Sequence, residues 1–167
     1  MFPLKPLSKD AIPAALAKAE RYRLLNEPDQ AESICEDVLA AEPGHRDAVV
    51  TLLLSLTDQF SRGDGHLVAR AQELAAHLGT AYERAYFSGL VAERRGRALL
   101  DDHSPGRSQS AGGWLQDAMD HYEEAERLRP SGNDEALLRW NACARVLNAR
   151  PDLLAVERER TAPLMLE

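Results

Sequence analysis

The chain has 167 residues, is 44% hydrophobic but only 5% aromatic, and carries a formal charge of −7. A chain of this length can bury a core without metal or disulfide cross-links, and its acidic balance argues against broad contact with nucleic acid or an anionic membrane face, which needs an excess of Lys and Arg. Ala and Leu dominate and β-branched residues are sparse outside Val49, Val50 and Thr51, so an all-α fold is expected.

Residues 1–11 read as an N-terminal extension, with Pro3, Pro6, Lys5, Lys9 and Asp10 but no apolar run long enough for a signal peptide or a spanning helix. A cytoplasmic protein is expected. The spacing of Ala15, Leu16, Ala19 and Tyr22 predicts a first helix over residues 12–25, which Asn26 ends in a left-handed conformation. Pro28 suits the first turn of a second helix, where its missing N–H is no loss. That helix carries Ala31, Ile34, Cys35, Val38 and Leu39 and stops before Pro43 and Gly44, so the two form a hairpin.

A third helix, over residues 46–61, is wrapped by Val49, Val50, Leu52, Leu53, Leu54 and Leu56, as for a helix buried between neighbours. Residues 62–65 break the chain, a fourth helix follows over residues 66–78, and Gly79 and Thr80 supply a C-cap and turn. The fifth helix, over residues 81–100, holds small residues at Ala85, Ser88, Gly89 and Ala92, which suits close approach of another helix. Residues 101–113 are polar and rich in helix breakers and read as a mobile surface loop. Trp114, Leu115, Ala118, Tyr122, Ala125 and Leu128 define a sixth helix ending at Pro130. A seventh follows over residues 135–148, capped by the polar segment 131–134. Residues 149–167 form a C-terminal tail, with a weak helix and a frayed end.

Ala31, Cys35, Val38 and Pro43 recur as Ala118, Tyr122, Ala125 and Pro130, with the same offsets of four, seven and twelve residues. With Ala19, Tyr22 and Asn26 ahead of the first set, and with residues 85–96 placing Gly89 and Gly96 ahead of the second, the chain resembles a tetratricopeptide-repeat protein, whose period is about 34 residues in two antiparallel helices. The resemblance covers residues 12–148 as three degenerate hairpins and a capping helix, with residues 101–113 inserted in the third hairpin. It implies a right-handed superhelix of antiparallel hairpins in which the first helix of each pair lines a concave groove.

By that register the groove residues are Leu16, Glu20 and Arg23 in the first hairpin, and Val50, Thr51, Leu54, Thr57 and Asp58 in the second. The third hairpin contributes Tyr86, Phe87, Leu90, Glu93 and Arg94. Leu138, Arg139, Ala142 and Arg145 complete the surface on the last helix. Apolar and aromatic anchors beside arginines suit a protein or peptide segment with an acidic group near its end. In the alternative, Tyr86, Phe87 and Leu90 simply pack against neighbouring helices. The Lys and Asn clamp of the chaperone-adaptor branch is absent at the matching positions, Leu16, Glu20, Thr51, Tyr86 and Leu90.

Catalysis finds little footing. His45, His66, His77, His103 and His121 show no metal-ligand spacing, no glycine-rich phosphate loop or nucleophile elbow is present, and no cofactor is expected. Cys35 and Cys143 lie in apolar helical patterns and read as buried free thiols. Asp117 with His121, the run Asp101, Asp102 and His103, and the run 157–160 read as surface charges. The expected function is a non-enzymatic adaptor that binds no nucleic acid and no membrane. Its rivals are a homodimer paired through the third helix or through Leu153, Leu154 and Val156, and a regulatory module beside an enzyme. Residues 163–166 could also plug the groove.

Overall fold

The computed structural model describes residues 2–62, 65–102 and 107–154. The fold is all-α: among the described residues there are seven α-helices, two short 3-10 segments and no strand. The single repeat domain expected over residues 12–148 divides into two compact units, residues 1–79 and 80–167.

In the first unit, α1 (Ile12–Leu24) and α2 (Pro28–Ala41) form the expected hairpin. Asn26 has φ +60°, the Asn26 N–H donates to the Arg23 carbonyl (3.0 Å) and the Glu27 N–H to the Tyr22 carbonyl (2.9 Å). This is a Schellman cap, and it works with Asn because its short polar side chain tolerates the left-handed region. Pro28 then starts α2 within its first turn. Asn26→Val is expected to cost about 1 kcal/mol and Asn26→Gly close to nothing, read as urea midpoints; equal losses from both would show that the left-handed turn is not what matters.

Ala19, Ala31, Cys35 and Val38 are fully buried, and Ile12, Val38 and Ala48 form a cluster with Leu16 and Leu39 against it. α3 (Arg46–Thr57) packs against α2, α1 and α4 (Gly65–Ala76). Leu52, Leu53 and Leu56 are buried, as the near-continuous apolar run predicts, and the Ser55 and Thr57 hydroxyls donate back to the Thr51 and Leu54 carbonyls at 2.8 and 2.7 Å. Val50 and Leu54 stay only half-buried. α2 is tied to α4 through Arg70, which bonds Glu32 at 2.5 Å and Glu36 at 2.6 Å.

The second unit is built on α5 (Ala81–Asp101), α6 (Arg107–Leu128) and α7 (Glu135–Ala149). Thr80, expected in a turn that ends α4, instead opens α5: its hydroxyl accepts from the Glu83 N–H at 3.1 Å while the Glu83 carboxylate accepts from the Thr80 N–H at 3.2 Å. α5 and α6 approach closely. A β-carbon at Gly89 would lie 2.7 Å from the Tyr122 ring, and one at Gly96 would lie 3.0 Å from Leu115.

The segment 101–113, expected as a loop, is helical at Asp101 and over residues 107–113, and Ala111 is fully buried. A β-carbon at Gly112 would run into the Leu153 carbonyl, so this glycine serves close packing rather than flexibility. Residues 103–106 lie outside the described residues. In the tail, residues 152–154 form a helical turn, and Leu153 is buried in the same cluster as Tyr122 and Cys143. The expectations for Val156, for 157–160 and for 163–166 lie outside the described residues.

Candidate partner-binding groove

α1 and α3, the first helices of the first two hairpins, are in contact and leave an open groove of about 620 Å³ on one side. α1 contributes Glu20, Arg23 and Leu24, with Asn26 just beyond its end; α3 contributes Arg46, Asp47, Val50, Thr51 and Leu54, with Asp58 at its C-cap. Helical geometry accounts for the set: residues 16, 20 and 23 share one face of α1, and 47, 50, 51, 54 and 58 share one face of α3.

The floor is apolar and the rim is charged. Val50 and Leu54 are half-buried, Thr51 is buried beneath them, and Leu24 projects at 88% exposure. The Arg23 Nε donates to the Asp58 carboxylate at 2.8 Å, with the two side chains 19% and 23% exposed, so this pair fixes one end of the groove. Arg46 and Asp47 pair at 2.7 Å out in solvent, where the bond adds little stability, and Glu20 is exposed. The groove thus offers an aliphatic floor between charges of both signs. Cys35 is buried in the same unit; burial pushes its thiol up to about 11, so it stays protonated and unreactive.

Six residues chosen from sequence, Glu20, Arg23, Val50, Thr51, Leu54 and Asp58, meet in this groove. Two others from the same register do not. Leu16 packs on the Ile12 and Val38 cluster, and Thr57 is buried with its hydroxyl spent on the Leu54 carbonyl. Sequence reasoning missed Leu24, Asn26, Arg46 and Asp47, although Leu24 stands one turn from Glu20 and Asp47 one turn from Thr51.

The residues chosen in the second unit sit differently. Leu90 is 2% exposed and presents no surface. Tyr86 stacks on Tyr82 at 5.8 Å and meets Phe87 edge-on at 5.1 Å, and its hydroxyl accepts from the Arg139 Nε at 3.3 Å. For Tyr86, then, packing within the unit is what is observed. Phe87 and Arg94 are half-buried, Arg145 is exposed and Leu138 is 63% exposed.

Glu93, expected in a groove, is only 3% exposed. Its carboxylate accepts from the Tyr122 hydroxyl at 2.7 Å, from the Arg97 Nε at 2.8 Å and from the Arg139 Nη1 at 3.1 Å. Burial alone would raise this carboxyl, but the bonds from Tyr122 and Arg97 and the charge of Arg139 outweigh it and hold it below the ordinary glutamate range. Burial, with the Glu93 charge beside it, raises the Tyr122 hydroxyl, and burial pushes the Cys143 thiol up to about 12. This cluster ties α7 and α6 to α5.

Among the described residues no three His, Cys, Asp or Glu side chains gather closely enough to hold a metal, and no helix is long and apolar enough to cross a membrane. Asp117 and His121 are both exposed on α6. Comparison of the chain with protein-family models, with curated proteins and with solved structures finds no match.

Proposed function

We propose that the chain is a tetratricopeptide-like adaptor without catalytic activity, which binds a partner protein segment in the groove between α1 and α3. The observation that carries this reading is the meeting of six register-derived residues in one groove with an apolar floor and a fixed ion pair at its end. The repeat assignment belongs to the proposal and draws support inside each unit: Ala31, Cys35 and Val38 in one, and Ala118, Tyr122 and Ala125 in the other, are all fully buried, as packing positions must be. A reducing, cytoplasmic setting is part of the same reading, supported by two buried and unpaired cysteines.

Self-association has less to work with. α3 spends Leu52, Leu53 and Leu56 inside the unit, and Leu153 is buried in its own. No particular residue favours a regulatory module beside an enzyme.

Peptides selected by display against the intact chain test the proposal. Val50→Arg should lower their affinity at least tenfold while leaving the circular dichroism spectrum unchanged, because it places a charge on the apolar floor. Selected peptides that bind the variant as well as the parent would refute the groove. A concentration-dependent dimer that Val50→Arg dissolves would replace the partner with a second copy.

A further inference from the structure

α1 carries a second unpartnered face. Ala14, Ala17, Lys18, Arg21, Tyr22 and Leu25 line a shallow cleft of about 570 Å³, turned about a third of a revolution away from the α1/α3 groove. All but Tyr22 are exposed, and Leu25 remains 60% exposed.

Arg21 differs from the other arginines of the unit, each of which meets a carboxylate. Arg23 pairs with Asp58, Arg46 with Asp47, Arg62 with Asp29, and Arg70 with Glu32 and Glu36. Among the described residues, Lys18 and Arg21 alone of this cleft's charged groups stand there, and neither has a carboxylate partner; Lys18 Nζ instead lies 5.8 Å from the centroid of the Tyr22 ring. The cleft is therefore basic and apolar together in a chain whose formal charge is −7.

We infer that this face is a second docking surface, and that its occupant is an acidic amphipathic helix of a partner protein. Complementarity argues for that chemistry: an apolar side chain fits between Ala14, Ala17 and Leu25, and carboxylates one turn apart on the incoming helix reach Lys18 and Arg21, which stand three residues apart on α1. The cleft follows the helix axis from residue 14 to residue 25, about 16 Å, or three turns, which suits a helix laid alongside. Two cations are a weak hold on an anionic membrane, where each adds only a small increment. In a protein contact with an apolar centre, two charge-assisted bonds fix orientation and speed encounter.

The probe is a synthetic helical peptide of glutamate and leucine with the leucines on one face, and its counterpart with lysine in place of glutamate. Binding to the intact chain is followed by fluorescence anisotropy at low and at high salt. The glutamate peptide is expected to bind at least tenfold tighter than the lysine peptide, to weaken as salt rises, and to lose at least tenfold in affinity in Lys18→Glu/Arg21→Glu. Val50→Arg should leave its affinity unchanged, so the failure of either surface is distinguishable from the failure of the other. Equal binding of the two peptides, or an unaltered affinity in the double variant, overturns the inference. So does binding of the parent to phosphatidylserine vesicles that the double variant loses while the peptide stays unbound, or a self-association that the double variant abolishes.

Discussion

Glu93→Ala is expected to lower the stability of the second unit by about 3 kcal/mol, the range found when one partner of a buried charged cluster is removed. The carboxylate is the common acceptor for Tyr122, Arg97 and Arg139, and therefore for all three helices of the unit. Arg97 and Arg139 are 41% and 36% exposed and can turn to water when it is lost. Tyr122 cannot: it is fully buried, and its hydroxyl would be left without an acceptor beside a new void. Phenylalanine at 122 should restore part of the loss in the Glu93→Ala background, since it removes the orphaned hydroxyl. A double variant no more stable than Glu93→Ala would show that the hydroxyl is not the source of the cost.

The same cluster fixes a pH dependence. Because the folded-state carboxyl is held below its unfolded value, its contribution is complete above the ordinary glutamate range and is lost as pH falls through the lowered folded value. In urea unfolding the gap between parent and Glu93→Gln should therefore be wide at neutral pH and narrow in strong acid. A gap that widens in acid would mean the shift has the opposite sign.

Gly89→Ala is the second large effect. In an exposed helix this change stabilises by about 1 kcal/mol, but here the new methyl would meet the Tyr122 ring at 2.7 Å and the Ala118 carbonyl at 3.2 Å. The ring has nowhere to go, since its hydroxyl is held by Glu93 and its faces are buried. Overpacking of about 3 kcal/mol then exceeds the helical gain, and a net loss of about 2 kcal/mol is expected in thermal or urea unfolding. Gly96→Ala should cost less, because its nearest contact, the Leu115 side chain, lies at 3.0 Å, against 2.7 Å to the Tyr122 ring at Gly89. Equal tolerance at both positions would show that α5 and α6 separate more easily than the packing implies.

What was legible in the sequence were features written in local spacing. Asn26 and Pro28 bracket a turn within a few residues of each other, and the Cys35 and Tyr122 packing positions follow from helical periodicity alone. The six groove residues were legible for the same reason, since each is set by the register of its own helix. What escaped depends on neighbours distant in sequence. Gly112 and Ala111 look like loop residues by composition, yet they are small because Leu153 and the Gly96 region press against them. Glu93 sits on a face that periodicity assigns to a groove, and only Tyr122 and Arg139, 29 and 46 residues away, reveal that it is enclosed. Thr80 and Glu83 form a capping box, but the preceding glycine draws the eye to the end of the helix before it.

The proposed seating of a partner segment across α1 and α3 is tested most directly by a map of backbone amide chemical shifts on adding a display-selected peptide. Shifts are expected to concentrate at Glu20, Arg23, Leu24, Val50, Leu54 and Asp58, with α5 to α7 left unchanged. Shifts centred on α5 to α7, with the α1 and α3 amides unmoved at saturation, would contradict it.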